Sequence, residues 1–157
     1  MKELLKELCL INGVSGDENA VRDFIIDKIK DICEYRIDNL GNLICLRKGR
    51  KAPAKKIMVA AHMDEVGFIV TSVRSDGTLT FGTVGGVDAS VTIGRQVKVG
   101  KNGLSGVIGS TAVHNLSKEQ REKAPSISSL YIDIGAADKE EAAENYLSDM
   151  VWTADME

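Results

Sequence analysis

Aromatic side chains are scarce in this 157-residue sequence: three Phe, three Tyr and one Trp make up 4% of it. Readers of nucleic-acid bases or of sugars lean on aromatic stacking platforms, so the scarcity weighs against both. Neither sign of charge dominates. Twenty Lys and Arg stand against 23 Asp and Glu, for a net charge of −3, and the basic footprint that nucleic acid or an anionic membrane attracts is missing. Cys9, Cys33 and Cys45 are an odd number with no CxxC spacing, which fits a reduced cytoplasmic protein better than a disulfide framework. The opening MKELLKELCLI interleaves Lys and Glu with Leu and contains no uninterrupted apolar core, unlike a secretory leader. Apolar runs such as Ile57 to Ala61 are far too short to span a bilayer. No nucleic acid, no membrane and a cytoplasmic setting are therefore expected.

What is present is ordinary for a globular chain: 43% hydrophobic and 27% charged residues, enough for one domain or two small ones. Leu4, Leu5, Leu8 and Ile11 recur at helical spacing, so the first dozen residues read as a short amphipathic helix. Gly13-Val14-Ser15-Gly16 interrupts it, and Ser15 with Glu18 has the spacing of a capping box. A second helix is expected to run to about Cys33, with Val21, Phe24, Ile25, Ile29 and Ile32 on one face. Tyr35 to Asp38 and Leu43 to Leu46 then read as strands joined at Asn39-Leu40-Gly41-Asn42. Beyond a basic loop, Lys48 to Lys56, the run Ile57-Met58-Val59-Ala60-Ala61 shows no alternation and reads as a strand buried on both faces. It ends in His62-Met63-Asp64-Glu65, and α/β sheets often place their chemistry at such a strand end.

The texture changes near Val66. Nine of the fifteen glycines lie between Gly77 and Gly109, where the charged residues are Asp88, Arg95, Lys98 and Lys101 alone. Short strands at Phe68 to Val73, Val97 to Val99 and Gly106 to Ile108, separated by Gly turns, predict a small β-barrel or sandwich. A polar helix near Ser117 to Lys123, a strand at Leu130 to Ile134 and a helix at about Lys139 to Tyr146 follow.

His62 and Asp64 form an HxD pair. In extended chain, residues two apart point to the same side, so the carboxylate can reach the imidazole. A metal-bound histidine usually needs such an acceptor to fix its tautomer and raise its basicity. An isolated HxD is more often a satisfied histidine at a strand end.

The longer string Ala61-His62-Met63-Asp64-Glu65-Val66-Gly67-Phe68, after Gly13-Val14-Ser15-Gly16 and Asn39-Leu40-Gly41-Asn42, changes that balance. It closely resembles the tetrahedral, glutamyl and deblocking aminopeptidases, prokaryotic co-catalytic metallopeptidases of which some carry a cellulase M or endo-1,4-β-glucanase label. The likeness continues through Val84-Gly85-Gly86-Val87-Asp88, Gly106-Val107-Ile108-Gly109-Ser110 and Leu130-Tyr131-Ile132-Asp133-Ile134-Gly135-Ala136. It implies a centre of two zinc or cobalt ions per full-length subunit, a peptide substrate, and a dimer-based homo-oligomer. His62 is similar to one terminal metal ligand of the family, and Asp64 to the catalytic-site carboxylate that orients it; Glu65 belongs to the motif without an assigned role.

The resemblance also implies an α/β fold, α+β overall: part of an α/β metallopeptidase domain with an inserted small β-barrel-like dimerisation domain. Residues 1–66 would belong to the peptidase domain, 67–149 to the insertion and 150–157 to a truncated return. Family members are about twice as long and supply a bridging Asp, an adjacent Glu pair, a further Asp and a last His after the insertion. With those segments outside this sequence, weak metal binding or none, and no activity in isolation, are expected, since even one catalytic zinc takes three protein ligands.

A site rebuilt from His114 and Glu140-Glu141 is disfavoured, because the glutamates open an exposed helix whose dipole favours acids there. Two other functions remain in view. One is a non-catalytic self-association module. The other, endo-1,4-β-glucanase, needs two carboxyl groups ~5 or 6.5–9.5 Å apart and usually aromatic platforms, which one Trp and three Tyr serve poorly.

Overall fold

A computed structural model of the chain describes residues 1–51, 55–146 and 150–153. Two compact units divide it, residues 1–64 and 65–157. The expected peptidase part ended at 66. The limit expected for the insertion at 149, residues 154–157 and part of the basic loop lie outside the described residues.

In the first unit, α1 (Lys2–Cys9) and α2 (Asn19–Ile29) are both shorter than their apolar spacing predicts. The α1 helix buries no residue, and Leu5 stays largely exposed. Before α2, the capping box expected from Ser15 and Glu18 is not formed. Glu18 Oε1 accepts from the Gly16 amide at 2.7 Å, but the Ser15 hydroxyl turns away to another partner, and Glu18 itself stands at the N-cap position. The strands β1 (Glu34–Ile37) and β2 (Leu43–Leu46) pair antiparallel, with Tyr35 opposite Cys45. Asp38 makes their turn. Its Oδ1 accepts from the Leu40 and Asn42 amides at 3.0 and 2.9 Å, and Gly41 takes the positive φ of 85° that the turn needs.

The strand expected at Ile57 to Ala61 is not formed. Residues 56–64 belong to no strand, and Ile57, Met58 and Val59 are 90%, 90% and 91% exposed. A continuous apolar run signals burial on both faces only when neighbouring strands and covering helices exist to bury it. Among the described residues none is paired with this segment.

In the second unit, β3 (Gly67–Val73), β4 (Leu79–Val84), β5 (Gln96–Val99), β6 (Leu104–Ser110), β7 (Leu130–Asp133) and β8 (Met150–Thr153) close into a barrel of order β3-β4-β7-β6-β5-β8. The short helix α3 (Lys118–Arg121) and α4 (Lys139–Tyr146) lie in its connections. The expected closed β-rich unit is thus present. Residues 150–153, read from sequence as part of a return to the first domain, pair with β3 and β5 and shut the barrel. Closure is the one arrangement that leaves a sheet no edge.

Phe68, Val70, Leu79, Phe81, Val97, Val99, Ile108, Leu130 and Ile132 fill the interior. Phe68 and Phe81 meet edge to face with centroids 5.0 Å apart. Burial along β3 runs Phe68, Val70, then Val73, a change of phase at the bulge between Val70 and Ser72. Two residues there oppose one: the hydroxyls of Thr71 and Ser72 both reach the Thr80 hydroxyl, at 2.9 and 2.7 Å. Gly109 is required by close packing, since a Cβ at that position would stand 2.5 Å from the Tyr131 ring. No helix among the described residues is long and apolar enough to cross a membrane.

Leu79 lies opposite Ile132, and both are fully buried. Leu79→Ala is expected to destabilise the barrel by about 2–5 kcal/mol through lost transfer energy and the cavity left behind. Urea unfolding followed by circular dichroism measures it; a change below ~1 kcal/mol would contradict this packing.

Candidate functional site

The candidate site lies in the first unit, where the 62–64 segment meets the turn before α2. His62 is largely exposed, its side chain at 85%, while Asp64 is half-buried. The imidazole folds back on its own segment. Its Nδ1 lies 2.9 Å from the Asp64 carbonyl oxygen and 3.1 Å from Asp64 Oδ1. Both neighbours are acceptors, an arrangement that favours the tautomer in which Nδ1 carries the proton and donates. That assignment leaves the Nε2 lone pair directed outward, the atom and state in which imidazole binds a metal.

The second carboxylate oxygen is also engaged. Ser15 Oγ donates to Asp64 Oδ2 at 2.6 Å, across 49 positions of sequence. Sequence reading missed this contact, because Ser15 satisfied a local capping pattern and nothing in the spacing ties it to Asp64. The one signal was that the Gly13-Val14-Ser15-Gly16 turn belongs to the motif set of the resemblance. The order Ser–Asp–His differs from that of a nucleophilic triad, in which the imidazole must touch the hydroxyl. Here the hydroxyl touches the carboxylate, and Ser15 is not activated for attack.

The Ser15 hydroxyl, first of all, holds the Asp64 carboxyl below its ordinary value of 3.8; burial is the next effect in size and opposes it, while the Asp64 backbone amide and the His62 imidazole act in the same direction as the hydroxyl.

The other candidates belong to the second unit. Glu65 opens the second unit and is exposed. His114 is exposed in a short 3-10 turn, Val113–Asn115. Glu141 helps to cap α4: its Oε2 accepts from the Ala137 amide at 2.8 Å, while Asp138 Oδ1 accepts from the Glu141 amide at 2.9 Å. A carboxylate so used serves a helix terminus, in line with the helix-start reading of Glu140-Glu141. No group of three or more His, Cys, Asp or Glu able to hold a metal ion exists among the described residues. The cluster fits the share of one ligand, and does not fit a complete metal centre.

Residues 41–153 match the M42 glutamyl aminopeptidase family. The chain belongs to that family. A protein of Acetivibrio thermocellus is 47% identical to it over 143 residues, covering 90% of this chain and 41% of that protein. The lysyl aminopeptidase of Pyrococcus furiosus is 38% identical over 148 residues, covering 90% and 42%. Among solved structures, the TET1 peptidase of Pyrococcus horikoshii, which can assemble into a tetrahedron or a large octahedral shell, superposes with a TM-score of 0.81 at 40% identity. It covers 96% of this M42 chain and 46% of its own. The family resemblance and the fold class read from sequence are therefore confirmed. The chain spans about two-fifths of the length of the curated relatives it matches.

The lowered Asp64 value fixes a pH dependence. A carboxyl depressed in the folded state contributes stability that is fully present above its ordinary value and is lost as pH falls through the folded one. Ser15→Ala should raise the Asp64 titration toward 3.8, read from the Asp64 carboxyl carbon by NMR. An unchanged midpoint would show that the hydroxyl contributes nothing to it.

Proposed function

We propose that this M42 chain contributes one terminal ligand, His62, to a divalent-metal centre that hydrolyses N-terminal residues from peptides. The observation that carries the reading is the state of the imidazole: two acceptors face Nδ1, and Nε2 is left outward. Asp64 then serves as the carboxylate that fixes the tautomer and raises the basicity of the bound ring. The metal, zinc or cobalt and two per full-length subunit by the family resemblance, would activate water and polarise the scissile carbonyl when bound. This chain's own part is to hold and orient one imidazole.

The further ligands and the general base belong to polypeptide outside these 157 residues, and no hydrolytic step is complete on the described residues alone. The barrel is proposed as the family's insertion and as a self-association surface of a dimer-based homo-oligomer. Support comes from the shell-forming assembly of the TET1 peptidase at 40% identity. Substrate preference would be set by residues beyond this chain.

Two expected outcomes test this. The purified chain should release no N-terminal Leu or Glu from a chromogenic substrate above background, and calorimetry should show weak zinc uptake that His62→Ala removes. Two tight zinc sites in the chain alone, or turnover that His62→Ala abolishes, would overturn the reading.

A further inference from the structure

One side chain of the cluster has no part in the mechanism so far. Ser15 donates to Asp64 Oδ2 at 2.6 Å while Oδ1 of the same carboxylate faces His62 Nδ1 at 3.1 Å. Rotation of a carboxylate about its last torsion is broad and weakly restrained. Held at one oxygen, the group can swing out of line with the ring. Held at both, it presents a single oxygen in a fixed direction. A hydroxyl on a charged carboxylate makes a short, strong bond of the kind suited to this.

The turn that carries Ser15 is braced without using the hydroxyl. Glu18 accepts from the Gly16 amide at 2.7 Å, and the Asp17 amide donates to the Val14 carbonyl at 2.8 Å. The turn also lies tight against the 62–64 segment: a Cβ on Gly13 would meet Val21 Cγ2 at 2.7 Å and the Met63 carbonyl oxygen at 3.3 Å. Helix α2 does not use the hydroxyl as a cap either. Its bond in the structure is to Asp64.

We propose that Ser15 is a positioning residue which, through Asp64, locks the His62 ring in the Nδ1–H tautomer and keeps the Nε2 lone pair outward. The purpose of the lock rests on the reading of His62 as a metal ligand; the lock itself is a property of this chain. The Asp64 carbonyl assists at Nδ1, so loss of the hydroxyl weakens the restraint and leaves part of it in place.

The sequence contains two histidines, and His114→Gln leaves His62 as the sole imidazole. Long-range proton–nitrogen NMR of that 157-residue chain, with the ring neutral, reads the tautomer directly. A pyrrole-type Nδ1 and a pyridine-type Nε2 are expected. Ser15→Ala should move the two nitrogen signals toward each other as the Nε2–H form, favoured by free imidazole side chains, gains population. Ser15→Thr should keep the original pattern, and Asp64→Asn should shift it in the same direction as Ser15→Ala, with the fold checked by circular dichroism.

A second arm adds zinc alone and follows Nε2. Ser15→Ala should weaken zinc at that atom about threefold to tenfold, less than the loss of a directly bonded outer partner. A wild-type ring in the Nε2–H form, or an unchanged ring in whichever of the Ser15→Ala and Asp64→Asn chains folds, would overturn the proposal. A locked tautomer with zinc that never reaches Nε2 would uphold the lock and sink the metal-ligand reading instead.

Discussion

Backbone hydrogen-bonding groups on an extended strand demand partners, and the two units of this chain meet that demand differently. In the second unit every strand of the sheet has a neighbour on both sides, because β8 joins β3 to β5. Closure gathers Phe68, Leu79, Val97, Ile108 and Ile132 into one interior. In the first unit β1 and β2 pair with each other alone among the described residues, and residues 56–64 join no strand. The exposed Ile57, Met58 and Val59 follow directly from that.

The candidate site depends on a smaller constraint of the same kind. A carboxylate has two oxygens and satisfies two donors, and Asp64 divides them between Ser15 and His62. That division converts three residues, none unusual in isolation, into a directed imidazole. The hydrogen bonds also hold the Asp64 carboxyl in its charged form, which is the form that can accept the Nδ1 proton. On the proposed reading the described residues supply one ligand.

Much of the local structure was legible. Asn39-Leu40-Gly41-Asn42 marked the turn of β1 and β2, and the turn forms there because the Asp38 carboxylate, read as a strand end, accepts from the Leu40 and Asn42 amides. The Gly-rich stretch marked the barrel, since alternating apolar residues between Gly turns have few other ways to bury one face. Three readings shifted. Ser15 looked like a helix cap, because a local pattern gives no hint of a partner 49 positions away. Residues 57–61 looked buried, because hydrophobicity reports the need for cover and not its presence. The change of phase along β3 was hidden, because a bulge inserts a residue without altering composition.

The sequence by itself determined the HxD pair, the family to which the chain belongs, and which segments favour helix, turn or strand, since these depend on residue type and short spacing. Tertiary structure alone decided that β8 closes the barrel and that Ser15 holds Asp64. It also placed two acceptors at Nδ1 of His62. Each of those outcomes is a choice among partners distant in sequence, made by which groups remain unsatisfied once the chain has folded around them.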